Sequence, residues 1–249
     1  MREFLVVVLE APLASFGEEA GNSQRGTVNR PSRSTFLGLA GAALGILRAD
    51  AAGQRKLSDS FSTSTRTLSS GVLVRDYHTY QSVPQSRVQF ATRREALASG
   101  EAVTSITERE YRCGGLWQAA YASRRDDGLG LEQLAQAFLA PRFALWLGRK
   151  SCPLSAPLSP RIIVSETLSS AFDRHAEQER LVISSGEGLI STDDNRLLPG
   201  TNAPMRHNRR NDEPVSRSTW TFTSRDEWEF MTSPGGLAPG GSNAGKGTP

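Results

Sequence analysis

The chain has 249 residues, of which 37% are hydrophobic and 22% are charged. This composition is typical of a folded globular protein and argues against a disordered or fibrous one. The formal net charge of +3 does not by itself indicate a nucleic-acid partner. The choice of cation is more informative, because 26 of the 29 basic residues are arginine. Arginine binds phosphate with a planar, bidentate fork and stacks on bases. The codon bias of a GC-rich genome explains the same count. The positions of the arginines therefore have to show whether they indicate a nucleic-acid partner.

The composition also excludes several locations and cofactor classes. Cys113 and Cys152 are too few and too isolated for a disulfide framework or a zinc site, and we expect a reducing cytoplasm. The apolar run 4–9 is too short for a signal peptide. The run 36–47 is far shorter than the ~20 residues of a membrane span. We therefore predict a cytoplasmic protein with no membrane partner.

The first half of the chain predicts one helix among three strands. Residues 4–9 are almost continuously apolar, as expected for a central strand that is covered on both faces. Residues 33–47 predict a helix capped by Ser32, with apolar side chains at helical spacing. Two further strands are predicted at 61–68 and 72–77, joined by a Ser-Ser-Gly turn.

A polar and basic segment, 78–109, then interrupts the pattern. After it, residues 116–121 predict a strand, 129–139 a helix and 143–147 a last strand. The resulting order, β-α-β-β-α-β with a long insertion, predicts an α+β fold with a ferredoxin-like sheet and helices on one side.

The remainder predicts a smaller, β-rich lobe. Short strands are predicted around 161–166, 180–183 and 218–223, and the residues from 233 onward are rich in Gly, Pro and Ser. We therefore divide the chain into a ferredoxin-like domain (1–152), a small β-rich C-terminal lobe (153–232) and a disordered tail (233–249).

The sequence carries none of the common enzyme signatures. It has no Walker loop, no dinucleotide-binding glycine fingerprint, no GxSxG motif and no metal-ligand cluster. The pairs Asp126–Asp127 and Asp193–Asp194 are typical of solvated turns. His175 lies in a charged run that we expect on the surface. We predict no catalytic residue, no metal site and no cofactor.

Four arginine-bearing segments are candidate RNA-binding sites. The first leads into the helix that begins at 33, where unpaired N–H groups and the helix dipole favour a phosphate, although an ordinary capped helix gives the same pattern. The fourth follows the strand predicted to end at 147 and places two cations and a hydroxyl after a glycine. The candidates are Arg25, Thr27, Arg30, Ser32, Arg33 and Ser34 in the first segment, Arg75 and His78 in the second, Arg87, Arg93, Arg94 and Arg109 in the insertion, and Arg149, Lys150 and Ser151 in the fourth. No strand carries the aromatic residues of an RNA-recognition motif, so loops and the insertion would hold the RNA.

These segments resemble the CasD family, the subunits of the type I-E CRISPR surveillance complex (Cascade) that hold the 5′ handle of the guide RNA. The motifs that carry the resemblance are LVVVLEAPLASFG (5–17), RGTVNRPSRSTFLGLAGAALGI (25–46), RDYHT (75–79), TEREY (107–111), LGRKSCPLSAPL (147–158) and RRNDEP (209–214). The resemblance implies the ferredoxin-like (RRM-like) fold of the RAMP superfamily. It also implies that the insertion, about 77–110, is a hairpin-like thumb pressing on the guide RNA.

The function implied by the resemblance is that of a non-catalytic subunit that binds the 5′ handle of crRNA and caps the filament of backbone subunits in antiviral defence. Its neighbours would be a backbone subunit and the large subunit, and target DNA would be engaged indirectly through the complex. We expect segments 25–34 and 148–152 to form the cradle of the handle.

Two alternatives stay open. Type I-C relatives process precursor crRNA without metal, with a Tyr and an adjacent Lys–His pair. Here Tyr77 and His78 are adjacent, but no lysine neighbours a histidine. The second alternative is an RNA-binding module that acts alone. The long insertion and thin second lobe argue against it, because both are typical of surfaces that meet neighbouring subunits.

Overall fold

The computed structural model describes residues 1–17, 23–83, 90–181, 188–198 and 206–232. Within these ranges the chain forms a mixed α/β structure with a large, mainly antiparallel sheet. The strands are β1 (Arg2–Ala14), β2 (Gln24–Arg25), β3 (Phe61–Ser69), β4 (Val72–Ser82), β5 (Val103–Ser123), β6 (Arg161–Ser165), β7 (Leu189–Thr192), β8 (Arg206–Ser216) and β9 (Thr221–Met231). The α-helices are α1 (Arg33–Leu44), α2 (Ala51–Ser60), α3 (Arg93–Ala98), α4 (Leu131–Leu139) and α5 (Leu168–Gln178). No described helix is long and apolar enough to cross a membrane.

All of these strands belong to one sheet, whose main path has the order β6-β1-β5-β3-β7-β9-β8. The short β2 and the long β4 pair with β5 beside this path. Every pairing is antiparallel except that of β2 with β5. The sheet therefore runs through both of the predicted lobes, and the division at 152 stays a prediction.

Strand β1 is covered on both faces, as its apolar run predicts. Leu5, Val7 and Leu9 point into a core that contains side chains of α1 and α4. Phe4 and Val6 point the other way, into a second core that includes residues of α5. The prediction that helices lie on one side only is therefore wrong. The sequence predicts no helix here and places only the charged run 173–180 on the surface, whereas the apolar side chains of α5 are buried.

Both of the predicted helices are confirmed. The Ser32 hydroxyl accepts a hydrogen bond from the Thr35 N–H at 3.3 Å and caps α1. The helix ends at Leu44 instead of 47, because Gly45 adopts a left-handed conformation (φ 76°). In α4 the predicted apolar face is buried.

The predicted Ser-Ser-Gly turn is wrong, because β3 and β4 run along the same edge of β5. Ser69 lies opposite Leu116 and Val72 opposite Cys113, so the pairing continues past the interruption. Gly71 has φ 64°, and a Cβ there would lie 2.5 Å from the Cys113 carbonyl oxygen. The interruption is thus an irregularity within one edge. The register of β4 and β5 continues to the Ser82–Val103 pair, so the ends of the predicted insertion are regular strands.

Three strand predictions beyond residue 140 have different outcomes. Residues 143–147 form no strand, and only Trp146 makes an isolated bridge, to Pro153. The place beside β1 is taken by β6, which confirms the strand predicted at 161–166. The strand predicted at 218–223 is confirmed only in its second half, because residues 218–220 belong to the turn between β8 and β9 and β9 begins at Thr221. The strand predicted at 180–183 and the tail predicted from 233 fall largely or wholly outside the described residues.

Candidate nucleic-acid interface

A cleft of about 550 Å³ lies between the first turns of α1, residues 144–150 and the turn between β8 and β9. We call it the α1 cleft. It brings together the first and fourth segments predicted from the sequence. The residues lining it are Ser15, Gly17, Ser32, Ser34, Thr35, Gly38, Leu39, Ala42, Ala144, Leu145, Trp146, Gly148, Arg149, Lys150, Arg217, Trp220 and Phe222. This set contains three cations and no carboxylate, so the cleft favours an anionic ligand.

The N-terminus of α1 is already occupied by groups of the chain itself. The Arg33 N–H donates to an Asp212 carboxylate oxygen at 2.9 Å, and the Thr35 N–H donates to Ser32. Burial raises the pKa of Asp212, but the hydrogen bonds and charge of Arg225, together with the charge of Arg210, outweigh this effect and hold that pKa below its ordinary value. An internal anion therefore sits where the sequence suggested a phosphate, and this part of the cradle prediction is corrected.

Arg33 has a structural position. Its side chain is fully buried and forms ion pairs with Asp193, at 2.5 Å, and with Glu213. It also donates to the carbonyl oxygens of Phe61, at 3.0 Å, and Ser58, at 2.8 Å. All of its nitrogens have partners within the protein, so we remove it from the RNA contacts.

Arg30 is also engaged inside the protein. Its guanidinium pairs with Glu227, at 2.5 Å, and with Glu229, both on β9, and the side chain is only 12% exposed. The segment 29–33 and the motif 209–214 thus meet in one ion-pair network that fastens α1 to the β8–β9 hairpin. The direct phosphate contact predicted for Arg30 is corrected for the same reason.

Thr27 and Ser32 both form hydrogen bonds that stabilise the backbone around the loop. The Thr27 hydroxyl accepts from the Phe16 N–H at 2.8 Å, and its own N–H donates to Glu110 at 3.3 Å. Ser32 is buried as the helix cap but reaches the cleft wall. Arg25 is exposed on β2, and its carbonyl accepts from Arg149 at 3.1 Å.

The loop after 147 carries a half-buried Arg149 and an exposed Lys150, and no strand precedes it. Gly148 has φ 91°, and a Cβ there would lie 1.7 Å from the Ser15 carbonyl oxygen, so only glycine fits. Arg149 lies 4.7 Å from the Tyr111 ring centroid and donates to the Glu110 carbonyl at 3.3 Å. Lys150 and Ser151 are exposed.

The candidates on the β4–β5 ribbon do not line the α1 cleft. Arg75 is exposed and donates to Glu110 at 3.0 Å, and this bond holds the pKa of Glu110 below its ordinary value. The His78 ring lies 2.5 Å from Asp76. In the same region Arg93 and Arg94 are exposed on α3, Arg109 is partly buried on β5, and Arg87 lies outside the described residues.

Sequence reasoning missed several residues of the site. Arg217 and Trp220 lie in the turn between β8 and β9, and Phe222 lies at the start of β9. The sequence predicts a strand over 218–223, which hides this turn. The sequence does contain a signal for this part of the site, because Trp220 and Phe222 are two positions apart and follow Arg217 closely. His175 was also misplaced: it is fully buried and bonded to Gln118, at 3.0 Å, and to the Ser159 carbonyl, at 3.2 Å.

Comparison with known proteins gives consistent results. A family model described as CRISPR-associated protein (Cas_Cas5) matches residues 4–227. The chain is 34% identical over 166 residues to the CRISPR system Cascade subunit CasD of Escherichia coli (strain K12), covering 64% of this chain and 70% of that protein.

Two solved structures share the fold. A chain of a CRISPR RNA-guided surveillance complex superposes with a TM-score of 0.59 and 21% identity, covering 92% of this chain and 90% of that one. A structure described as a Cas protein gives a TM-score of 0.58 and 22% identity, covering 92% and 94%. The chain therefore belongs to the Cas5 family of CRISPR-associated proteins.

Proposed function

We propose that this protein is a non-catalytic subunit of a type I-E Cascade complex that binds the 5′ handle of crRNA and caps the filament of backbone subunits. The observation that carries the proposal is the α1 cleft, in which cations from two distant segments meet without a lining carboxylate. The similarity to a protein named as a Cascade subunit supports the assembly. A cytoplasmic location, a backbone subunit and the large subunit as neighbours, and indirect engagement of target DNA follow from this function.

Within the cleft, the exposed side chains are the proposed phosphate contacts. Lys150 faces solvent, Ser34 is half-buried on the wall, and Arg149 is held in place by Tyr111. Ser151 is exposed directly after Lys150, outside the lining of the cleft. Arg25 is exposed near them on β2. Contacts of this kind position a nucleic-acid backbone without reading its sequence.

The β4–β5 ribbon is the proposed thumb. It carries the exposed Arg75 and the partly exposed His78, and the helix α3 between its two strands carries the exposed Arg94. Arg93 and the partly buried Arg109 complete the proposed contacts. The ribbon also exposes large apolar side chains, typical of a surface that meets other chains: Val72, Leu73, Val74, Tyr77, Tyr80, Val103 and Ile106.

We further propose that the core is a ferredoxin-like domain of the RAMP type. Four strands in the order β6-β1-β5-β3, together with α1 and α4, support this proposal, because they follow one another along the chain as β-α-β-β-α-β. In this proposal β6 is the last strand of the fold, in place of the strand predicted at 143–147.

The geometry of the ribbon favours binding over RNA cleavage. Tyr77 and His78 are consecutive residues of β4, so their side chains point to opposite faces of the sheet. His78 is bonded to Asp76 at 2.5 Å. A base and a second group acting on one phosphate have to converge on the same side.

The cleft assignment is tested by the salt dependence of RNA binding by the full chain. Lys150→Ala should weaken binding of labelled repeat RNA and lower the slope of log affinity against log salt by about 0.7, the value for one phosphate on a single strand. Lys56→Ala is the matched control, because Lys56 is an exposed lysine on α2 that does not line the α1 cleft. Equal affinity and slope for Lys150→Ala and the wild type would remove the cleft from the binding surface.

A further inference from the structure

The turn between β8 and β9 carries an exposed aromatic pair at the mouth of the α1 cleft. The rings of Trp220 and Phe222 are nearly parallel, with an interplanar angle of 16° and centroids 6.0 Å apart. The two side chains are 55% and 36% exposed, and both line the cleft. The tip of the β8–β9 hairpin therefore exposes a large aromatic surface to solvent, and neither ring belongs to one of the two apolar cores.

The chain fixes this surface in place. Trp220 has a left-handed backbone conformation (φ 54°), which bulky residues rarely adopt. Such a conformation persists where the surroundings determine it, and it concentrates at binding sites. The Arg48 side chain donates to the carbonyl oxygens of Arg217 and Ser218, and its guanidinium carbon lies 4.5 Å from the Trp220 ring centroid. The platform is thus organised before any ligand binds.

Two cations flank the platform. Arg217 donates to the Ser34 carbonyl at 2.7 Å, across the first turn of α1, and its guanidinium lies 6.0 Å from the Trp220 ring centroid. Burial, followed by the charge of Arg48, lowers the pKa of Arg217, while Glu213 partly offsets this effect. Among the described residues neither Arg48 nor Arg217 forms an ion pair with a carboxylate, so no internal anion neutralises either guanidinium.

We infer that Trp220 and Phe222 form a stacking platform for a base of single-stranded RNA, whose adjoining phosphate is bound by Arg217 and Lys150. The inference rests on the proposed function and adds the residues that hold a base. Aromatic rings beside a cationic groove are the arrangement by which proteins bind single strands without reading their sequence. An apolar protein segment would leave the cations Arg149, Lys150 and Arg217 unused.

The test measures dissociation constants of the full chain for labelled repeat RNA and for a set of the same RNA with one abasic ribose at successive positions. Stacking on an aromatic side chain changes affinity by about 5- to 150-fold per base, so Trp220→Ala should weaken binding roughly tenfold or more. The salt slope should stay unchanged, because no phosphate contact is lost. Trp220→Phe should restore most of the affinity. Trp228→Ala is the matched control, because that indole stacks on His207 and does not line the cleft.

A second prediction identifies the base. If one base stacks on the platform, a single abasic position should weaken wild-type binding, and Trp220→Ala should cause no further loss with that RNA. Affinity of Trp220→Ala equal to the wild type, while Lys150→Ala weakens binding, would overturn the inference and leave the proposed function intact. Unchanged RNA affinity with impaired assembly with other Cascade subunits would assign the platform to a protein partner and also overturn it. Failure of the wild type to bind repeat RNA would contradict the proposed function itself.

Discussion

The guanidinium of Arg33 is buried among carboxylates and carbonyl oxygens, whereas Lys150, two residues beyond Gly148, faces solvent in the cleft. Both residues lie in motifs that suggested RNA contacts. The sequence could not separate them, because the partners of Arg33 are Asp193 and Glu213, 160 and 180 residues away. Burial and ion pairing with carboxylates therefore distinguish the arginines that stabilise the fold from those that stay exposed and can bind a ligand.

Replacing Arg33 should destabilise the protein strongly. Arg33→Met keeps much of the side-chain volume but leaves Asp193 and Glu213 without their cation, a change that typically costs about 3–5 kcal/mol. Unfolding in urea measures the loss. Arg125→Met is the control, because Arg125 pairs with Asp127 on the surface and should show no measurable change. A stability within about 1 kcal/mol of the wild type would contradict the role given to the network.

The buried His175 should make stability depend on pH. Burial is the main reason that its pKa lies below the ordinary value of 6.5, and Arg161 adds to the effect, whereas Ser159 and Glu179 oppose it. Below about pH 6.5 the unfolded chain therefore binds this proton more readily than the folded chain does. Stability contributed by neutral His175 is therefore present above that pH and is lost as the pH falls.

Unfolding free energies between pH 7.5 and 5.5 test this prediction. The wild type should lose more stability on acidification than His175→Gln, whose amide can replace the neutral ring in its hydrogen bonds without titrating. The slope for one proton is at most about 1.4 kcal/mol per pH unit. Parallel curves for the two proteins would show that His175 does not contribute.

At the level of elements, prediction succeeded where the pattern was local and long. Strand β1 contains a continuous apolar run and helix α4 has apolar residues at helical spacing, and both lie where the sequence indicates. Residues 143–147 are apolar enough for a strand, but β6 occupies the edge of β1. The Ser-Ser-Gly interruption at 69–71 looked like a turn because local composition does not report that β3 and β4 share one partner strand.

The loop that carries Lys150 depends on one glycine. Gly148→Ala should displace this loop, because the new Cβ would clash with the Ser15 carbonyl at 1.7 Å and the backbone is left-handed. We expect a loss of about 1–3 kcal/mol in stability, together with weaker RNA binding. Gly100→Ala is the matched control, because Gly100 has φ 77° with nothing within 4 Å of its Cβ position. Equal effects of the two substitutions would mean that the close approach to Ser15 is unimportant.

At the scale of the whole molecule, one sheet joins the segments that the sequence assigned to a core domain and a separate lobe. The α1 cleft exists because the β8–β9 hairpin is fastened to α1 by the ion-pair network of Arg30 and Arg33. Sequence motifs indicated two of the cleft walls, around 25–34 and 148–152. The third wall, with Trp220, depends on long-range pairing of β7 with β9, which no local pattern reveals.

We propose that this protein binds guide RNA and does not cleave it. The most direct measurement mixes the purified full chain with end-labelled repeat RNA, without divalent metal, and follows retention and cleavage in the same samples. We expect the RNA to be retained intact, more tightly when a backbone subunit is present, and we expect Lys150→Ala to weaken retention. Cleavage at a single site that is lost in His78→Ala would contradict the account and identify a processing nuclease.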